Sequence, residues 1–151
     1  MKDTPAGWPR ISSAVFYEDA GAAIAWLCRA FGFEARLVVE GEGGSIEHSE
    51  LVFGEGLIMV GQSGHVQRPE HASMVSPRST GGGNTQVLSV FVDDADAHCA
   101  RARAAGAEVF REPETSDYGA EYAMDRTYGA RDPEGHLWFF MQRMRDAPGK
   151  G

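Results

Sequence analysis

A chain of 151 residues is long enough to bury a real core as one domain or as two small halves, and its formal charge of −8 argues against nucleic acid or an anionic membrane as the main partner. No apolar run approaches a membrane span, and Met1-Lys2-Asp3-Thr4-Pro5 lacks the apolar segment of a signal peptide, so a cytoplasmic setting is expected. Cys28 and Cys99 have no C-x-x-C spacing, and they read as buried free thiols.

Residues 1–9 hold Trp8 and two prolines and show no periodic pattern. Ile11 to Tyr17, β-branched and aromatic, reads as a strand. Asp19 then offers a carboxylate to the free amides of a helix, and Ala23, Ile24, Leu27 and Phe31 recur at helical spacing up to Gly32, the left-handed stop. Phe33 to Val39 reads as a second strand, Glu40 to Gly44 as a hairpin turn, Ser45 to Phe53 as a third strand and Leu57 to Gly61 as a fourth. From Gln62 to Asn84 the pattern gives way to Ser, Gly, Pro, His and Arg, and a mobile linker is expected.

After it the order repeats. Gln86 to Val92 reads as a strand, Asp93 or Asp94 as a cap, and Ala95 to Ala105 as a helix stopped by Gly106. Ala107 to Arg111 is a predicted strand, Pro113 to Ala120 a polar loop, and Tyr122 to Ala130 another strand. Asp132-Pro133-Glu134-Gly135 is a tight turn, because Pro133 cannot donate to a ladder and Gly135 tolerates positive φ; the apolar strand Leu137 to Met141 follows. Asp19 and Gly32 lie 13 positions apart, as do Asp93 and Gly106, so a shift of 74 maps one half onto the other. The matching order makes a tandem duplication of a βαβββ unit the better account.

The two βαβββ modules, the helix ends F-G-F and A-G-A, and R-D-P-E-G-H-L-W-F-F resemble the vicinal oxygen chelate superfamily over about residues 10–143. That superfamily includes glyoxalase I, extradiol dioxygenases, and fosfomycin and bleomycin resistance proteins. The resemblance implies an α+β fold with modules at 10–62 and 85–143, a linker at 63–84, and curved mixed sheets around a concave cavity. It also implies a homodimer that completes the cavities. Function does not follow from the fold, which hosts lyases, isomerases, dioxygenases and plain binding proteins.

Metal-dependent members of the family carry a ligand near the start of the first strand and another in the last strand of each module. Those positions fall here on Ser12, on Met59 or Val60, on Gln86 (Val87 if the register slips by one), and on Phe139. A divalent ion needs several N, O or S donors, which thioether, aliphatic and phenyl groups do not supply to a hard cation. No metal and no cofactor is therefore expected.

His48 and Glu50 share a strand face and could reach one ion or one proton, against the plainer reading of a solvated face. His65 and His71 fall in the linker, His98 sits mid-helix, and His136 follows the turn glycine. No nucleophile elbow, phosphate loop or dinucleotide fingerprint is present.

Alternation points Leu137, Phe139 and Met141 inward and Trp138 and Phe140 toward the helix; it also points Ala14 and Phe16 inward from Ser12, and Leu88 and Val90 inward from Gln86. Tyr118, Tyr122 and Tyr128, with Trp8, are rings that could rim such a pocket. An apolar concavity with a few polar groups suits a small molecule, and the acidic charge favours an aromatic or cationic one. The leading expectation is a metal-independent binding protein of the glyoxalase/bleomycin-resistance type, sequestering an antibiotic or similar compound through Ser12, Phe16, Gln86, Leu88, Leu137, Phe139, Met141, Tyr118 and Tyr122. The rivals are an enzyme of the same superfamily, working through Gln86, His48 and Glu50 in a shifted register or by metal-free acid/base chemistry, and a structural or regulatory protein whose cavity is filled.

Overall fold

The computed structural model describes residues 1–149. The chain divides into two compact units, Met1–Gly82 and the residues from Gly83 on. In the first unit, β1 (Ser13–Tyr17) leads into α1 (Ala20–Phe31), then β2 (Glu34–Glu40), β3 (Ile46–Phe53) and β4 (Gly56–Gln62). The sheet order is β1-β4-β3-β2, with β1 parallel to β4 and the other neighbours antiparallel. In the second unit, β5 (Leu88–Phe91), α2 (Ala95–Ala104), β6 (Glu108–Asp117), β7 (Met124–Arg131) and β8 (Leu137–Arg145) repeat the arrangement in the order β5-β8-β7-β6. The fold is α+β, two βαβββ units each carrying one helix on one four-stranded mixed sheet.

Both helices begin where a carboxylate is available. Asp19 accepts from the Ala22 amide at 3.0 Å, and Gly32, at φ 86°, closes α1 by donating to the Cys28 carbonyl. In α2 the cap is Asp94, which accepts from the Ala97 amide at 3.0 Å. The repeat at this end is thus 75 residues, one more than the count from Asp93 gives.

The two cores solve one packing problem in opposite ways. In the first, the large groups come from the helix: Ile24, Leu27 and Phe31 are buried against Val15, Tyr17, Leu51 and Val60, and full burial of Leu27 and Phe31 contributes roughly 2 kcal/mol each. In the second, the helix offers only Ala95, Cys99 and Ala102, and the sheet fills the space with Trp138, Phe140 and Tyr128, all fully buried. Burial raises the thiol pKa of Cys28 and of Cys99, so both are protonated and unreactive at neutral pH.

Three local expectations change. The segment after β4 contains two short 3-10 helices, Pro69–Ser73 and Pro77–Thr80, and Ser76 and Pro77 are buried, so it is not without structure. The turn after β2 closes through a 3-10 turn at Glu42–Gly44. The expected loop from Pro113 is instead strand: β6 runs to Asp117 and pairs with β7 down to Asp117/Met124. Pro113 is tolerated because β6 is the sheet edge and the register shifts between Arg111 and Glu114, where no ladder donor is required.

Candidate functional site

The turn Asp132 to Gly135 is built on one carboxylate. Asp132 Oδ1 accepts from the backbone amides of Glu134, Gly135 and His136 at 3.0–3.1 Å, and Oδ2 accepts from Trp138 Nε1 at 3.0 Å. Asp132 therefore fixes both the turn and the first inward-facing residue of the helix-side core. Because β8 is pinned there, its alternate residues Leu137, Phe139 and Met141 face away from α2, as alternation predicted.

Register defines the rest of that helix-free face. Phe139 lies opposite Gly129 and Ser89, and Met141 opposite Thr127 and Phe91. Phe110 from β6 lies over Gly129, where a Cβ would meet its ring at 2.5 Å, and stands edge-on to Phe139 with centroids 5.5 Å apart. The Arg131 guanidinium covers Phe110 at 5.0 Å, and Arg143 covers Phe91 at 5.2 Å while its Nε binds the buried Asp125 at 2.6 Å. The face combines exposed rings with two guanidinium groups, so its chemistry is less cation-seeking than the net charge suggested.

The expected facing of β5 is overturned. Leu88 pairs with Trp138 and Val90 with Phe140, so both lie toward the helix, and Gln86 precedes the strand. Ser89 and Phe91 share the face of Phe139 instead. The cause is the cap: with Asp94 rather than Asp93 starting α2, the strand before it shifts by one, and one residue reverses every side chain. Tyr128 also leaves the candidate rim, being fully buried behind the sheet with its hydroxyl 2.6 Å from His98 Nδ1. Burial pushes its phenol above the usual tyrosine range, so it keeps its proton. Tyr118 and Tyr122 stand exposed at the tip of the β6–β7 hairpin, which Arg145 anchors through Asp117 and the Gly119 carbonyl.

In the first unit Ala14 pairs with Met59 and Phe16 with Gly61, and these lie on the helix-free face, with Ser12 just before the strand. Phe16 lies over Gly61, where a Cβ would come within 2.6 Å of its ring. The β3–β4 ladder stops at Leu51/Ile58, and beyond it the buried Ser49 hydroxyl accepts from the Val60 amide at 2.8 Å and donates to its carbonyl at 2.7 Å. That substitution lets the strands part, and a pocket of about 200 Å³ opens at their ends between Phe16, Ile46, Glu47 and Gln62.

A bulge between Ala35 and Leu37 turns Arg36 onto Glu50, which it binds at 2.7–2.8 Å, while His48 Nε2 lies 3.2 Å from the other oxygen. Hydrogen bonds from Arg36 and then His48 hold the Glu50 carboxyl below its usual range. Trp8 covers the Arg36 guanidinium at 5.2 Å. The His48/Glu50 face is therefore an ordered ion-pair cluster rather than a merely solvated one, and sequence gave no sign of Arg36 because only the bulge brings it there.

Of the residues that the resemblance sets at the metal positions, Met59 pairs with Ala14 in the first unit and Phe139 with Ser89 in the second, while Ser12 precedes β1 and Gln86 and Val87 precede β5. A hydroxyl, a thioether, a phenyl group and one amide or isopropyl group do not make a donor set for a divalent cation. Among the described residues, no three His, Cys, Asp or Glu side chains gather in a metal-holding group, and no helix is long and apolar enough to cross a membrane.

Residues 10–140 match the family model described as Glyoxalase/Bleomycin resistance protein/Dioxygenase superfamily. The crystal structure of TioX from Micromonospora sp. ML1 is similar at 32% identity, covering 91% of this chain and 100% of that one, with a TM-score of 0.67. TnmS3, an antibiotic binding protein from Streptomyces sp. CB03234, shares the fold at 18% identity over 87% and 93% of the two chains, with a TM-score of 0.60. The fosfomycin resistance protein FosX from Listeria monocytogenes does so at 14% identity over 89% and 93%, with a TM-score of 0.59. Comparison with curated proteins yields no match.

Proposed function

Because the chain belongs to the Glyoxalase/Bleomycin resistance protein/Dioxygenase superfamily, we propose that it is a metal-independent small-molecule binding protein. One observation carries this reading: the residues that the resemblance sets at the metal positions are Ser12, Met59, Gln86 or Val87, and Phe139, a set without a carboxylate or an imidazole. The exposed rings around Phe139 supply what a binding face needs instead, apolar area with a few oriented polar groups. Each unit offers its own set: Ser12 and Phe16 in the first, and in the second Leu137, Phe139, Met141, Phe110 and Phe91, with Tyr118 and Tyr122 on their hairpin. Ser89 takes the place of Leu88 on the second face, with Gln86 just before that strand. A planar aromatic compound fits these rings, and an antibiotic is one such class; TnmS3 is an example of this fold bearing that use. The protein acts in the cytoplasm as a homodimer.

The test is a thermal-shift screen of aromatic compounds, with the metal content of the purified protein measured beside it. A ligand that raises Tm in the wild type and loses most of its affinity in Phe139→Ala supports the proposal. A stoichiometric divalent ion whose removal abolishes binding overturns it. A second reading has one observation in its favour, the contact between His48 and a Glu50 carboxylate kept ionised by Arg36, which is the arrangement of a metal-free proton acceptor. Turnover of a screened ligand that His48→Gln removes, without loss of binding, selects that reading.

A further inference from the structure

The pocket at the ends of β1 and β4 has a chemistry that family membership does not assign. Phe16 and Met74 form its apolar walls, and Glu47, His65, Gln67 and His71 supply its polar groups. Hydrogen bonding fixes what each offers. The Gln67 backbone amide donates to His71 Nδ1 at 3.3 Å, so in the neutral ring the hydrogen is on Nε2 and His71 is a donor. The Gln67 side-chain NH2 donates to His65 Nε2 at 2.9 Å, which leaves its carbonyl oxygen as an acceptor. Glu47 Oε1 lies 3.9 Å from His65 Nε2, too far for a hydrogen bond, so the carboxylate remains open to a donor.

The pocket thus offers an aromatic wall, an anionic acceptor with a neutral acceptor near it, and one donor. We propose that it binds a small aromatic ammonium compound, the ring against Phe16 and Met74 and the protonated amine at Glu47 and the Gln67 carbonyl. His71 Nε2 donates to an acceptor elsewhere on the ligand. A volume of about 200 Å³ admits one ring system with a short aminoalkyl arm rather than a large natural product. The protein's charge of −8 draws such a cation in and repels its carboxylate analogue. This inference rests on the small-molecule reading above and names the ligand class for one part of it.

The experiment is an NMR titration of the intact chain with benzylamine, benzyl alcohol and benzoate at about pH 8, where the benzoate probe is ionised. Benzylamine should bind best, with shifts confined to Phe16, Glu47 and the residues around His71. Glu47→Gln, which keeps the shape and an acceptor, should weaken benzylamine about tenfold and leave benzyl alcohol unchanged, the difference between a charge-assisted and a neutral hydrogen bond. Met74→Ala, at an exposed position where folding is not at stake, should weaken both amine and alcohol. Equal affinities for the three probes, or no effect of Glu47→Gln, overturn the ligand class. If none of the three binds while a screened compound still depends on Phe139, this pocket proposal fails and the small-molecule reading stands. If benzylamine binds as expected and no compound depends on Phe139, the pocket proposal stands and the face around Phe139 is the part of the reading that is lost.

Discussion

Asp132 serves four donors with two oxygens, and its burial leaves no water to replace it. Asp132→Asn should therefore destabilise the protein by about 2–3 kcal/mol in urea unfolding, because an amide has only one acceptor oxygen and its NH2 would oppose Trp138 Nε1–H. An unchanged midpoint would show that the turn is held by its backbone alone. Gly129 tests the aromatic face in the same way. A Cβ there meets the outer end of the Phe110 ring, a movable and partly exposed group, so Gly129→Ala should cost less than about 1.5 kcal/mol. It should nonetheless displace Phe110 from Phe139 and lower the affinity of any ligand seated on those rings. Binding unaffected by Gly129→Ala would remove Phe110 from the site.

At the scale of single elements, the start of α2 separates two adjacent aspartates. Asp94→Ala should lower stability by about 1 kcal/mol through loss of the cap, whereas Asp93→Ala should stay within about 0.5 kcal/mol. Equal losses would mean that local charge, not the Ala97 bond, is what matters. In the first sheet, Ser49 holds β3 to β4 where the ladder has ended. Ser49→Ala leaves a buried amide and a buried carbonyl of Val60 without that partner, and about 2–4 kcal/mol should be lost. The pocket beside it should change shape as the strands close, so benzylamine affinity is a second readout.

For the molecule as a whole, acid sensitivity follows from its ion pairs. Glu50, Asp96 and Asp117 each have a carboxyl pKa lowered chiefly by hydrogen bonds from an arginine, Arg36, Arg126 and Arg145 respectively. A group whose folded pKa is lowered stabilises the fold above its unfolded pKa, and that stability is lost as pH falls through the folded value. Tm should therefore vary little with these groups between about pH 7 and pH 5 and fall below about pH 4.5, near the unfolded carboxyl range. Glu50→Gln should flatten the acid limb, and an identical limb in that variant would exclude Glu50 as a contributor. All three pairs are solvent-accessible in part, so added salt should weaken the effect.

The sequence by itself determined the fold class, the duplicated βαβββ order, the α1 limits and the D-P-E-G turn, because each is written in local chemistry: cap, helical period, stop glycine, turn proline. It also determined which residue types stand near the family's metal positions, Ser12, Met59 or Val60, Gln86 or Val87, and Phe139, among which Gln86 alone has a side chain of the family's ligand types. Only the tertiary structure decided the facing of Leu88 against Ser89, since a strand's face depends on pairing with β8 and local pattern reads equally well one residue over. Pairing likewise carried β6 through Pro113, and long-range packing withdrew Tyr128 into the core. The Arg36–Glu50 pair spans 14 positions and the Phe16–Glu47–His71 pocket spans 55, one joined through a bulge and the other through a ladder that ends early. No local signal in the chain encodes either event, because both are set by which strands meet and where their hydrogen bonding stops.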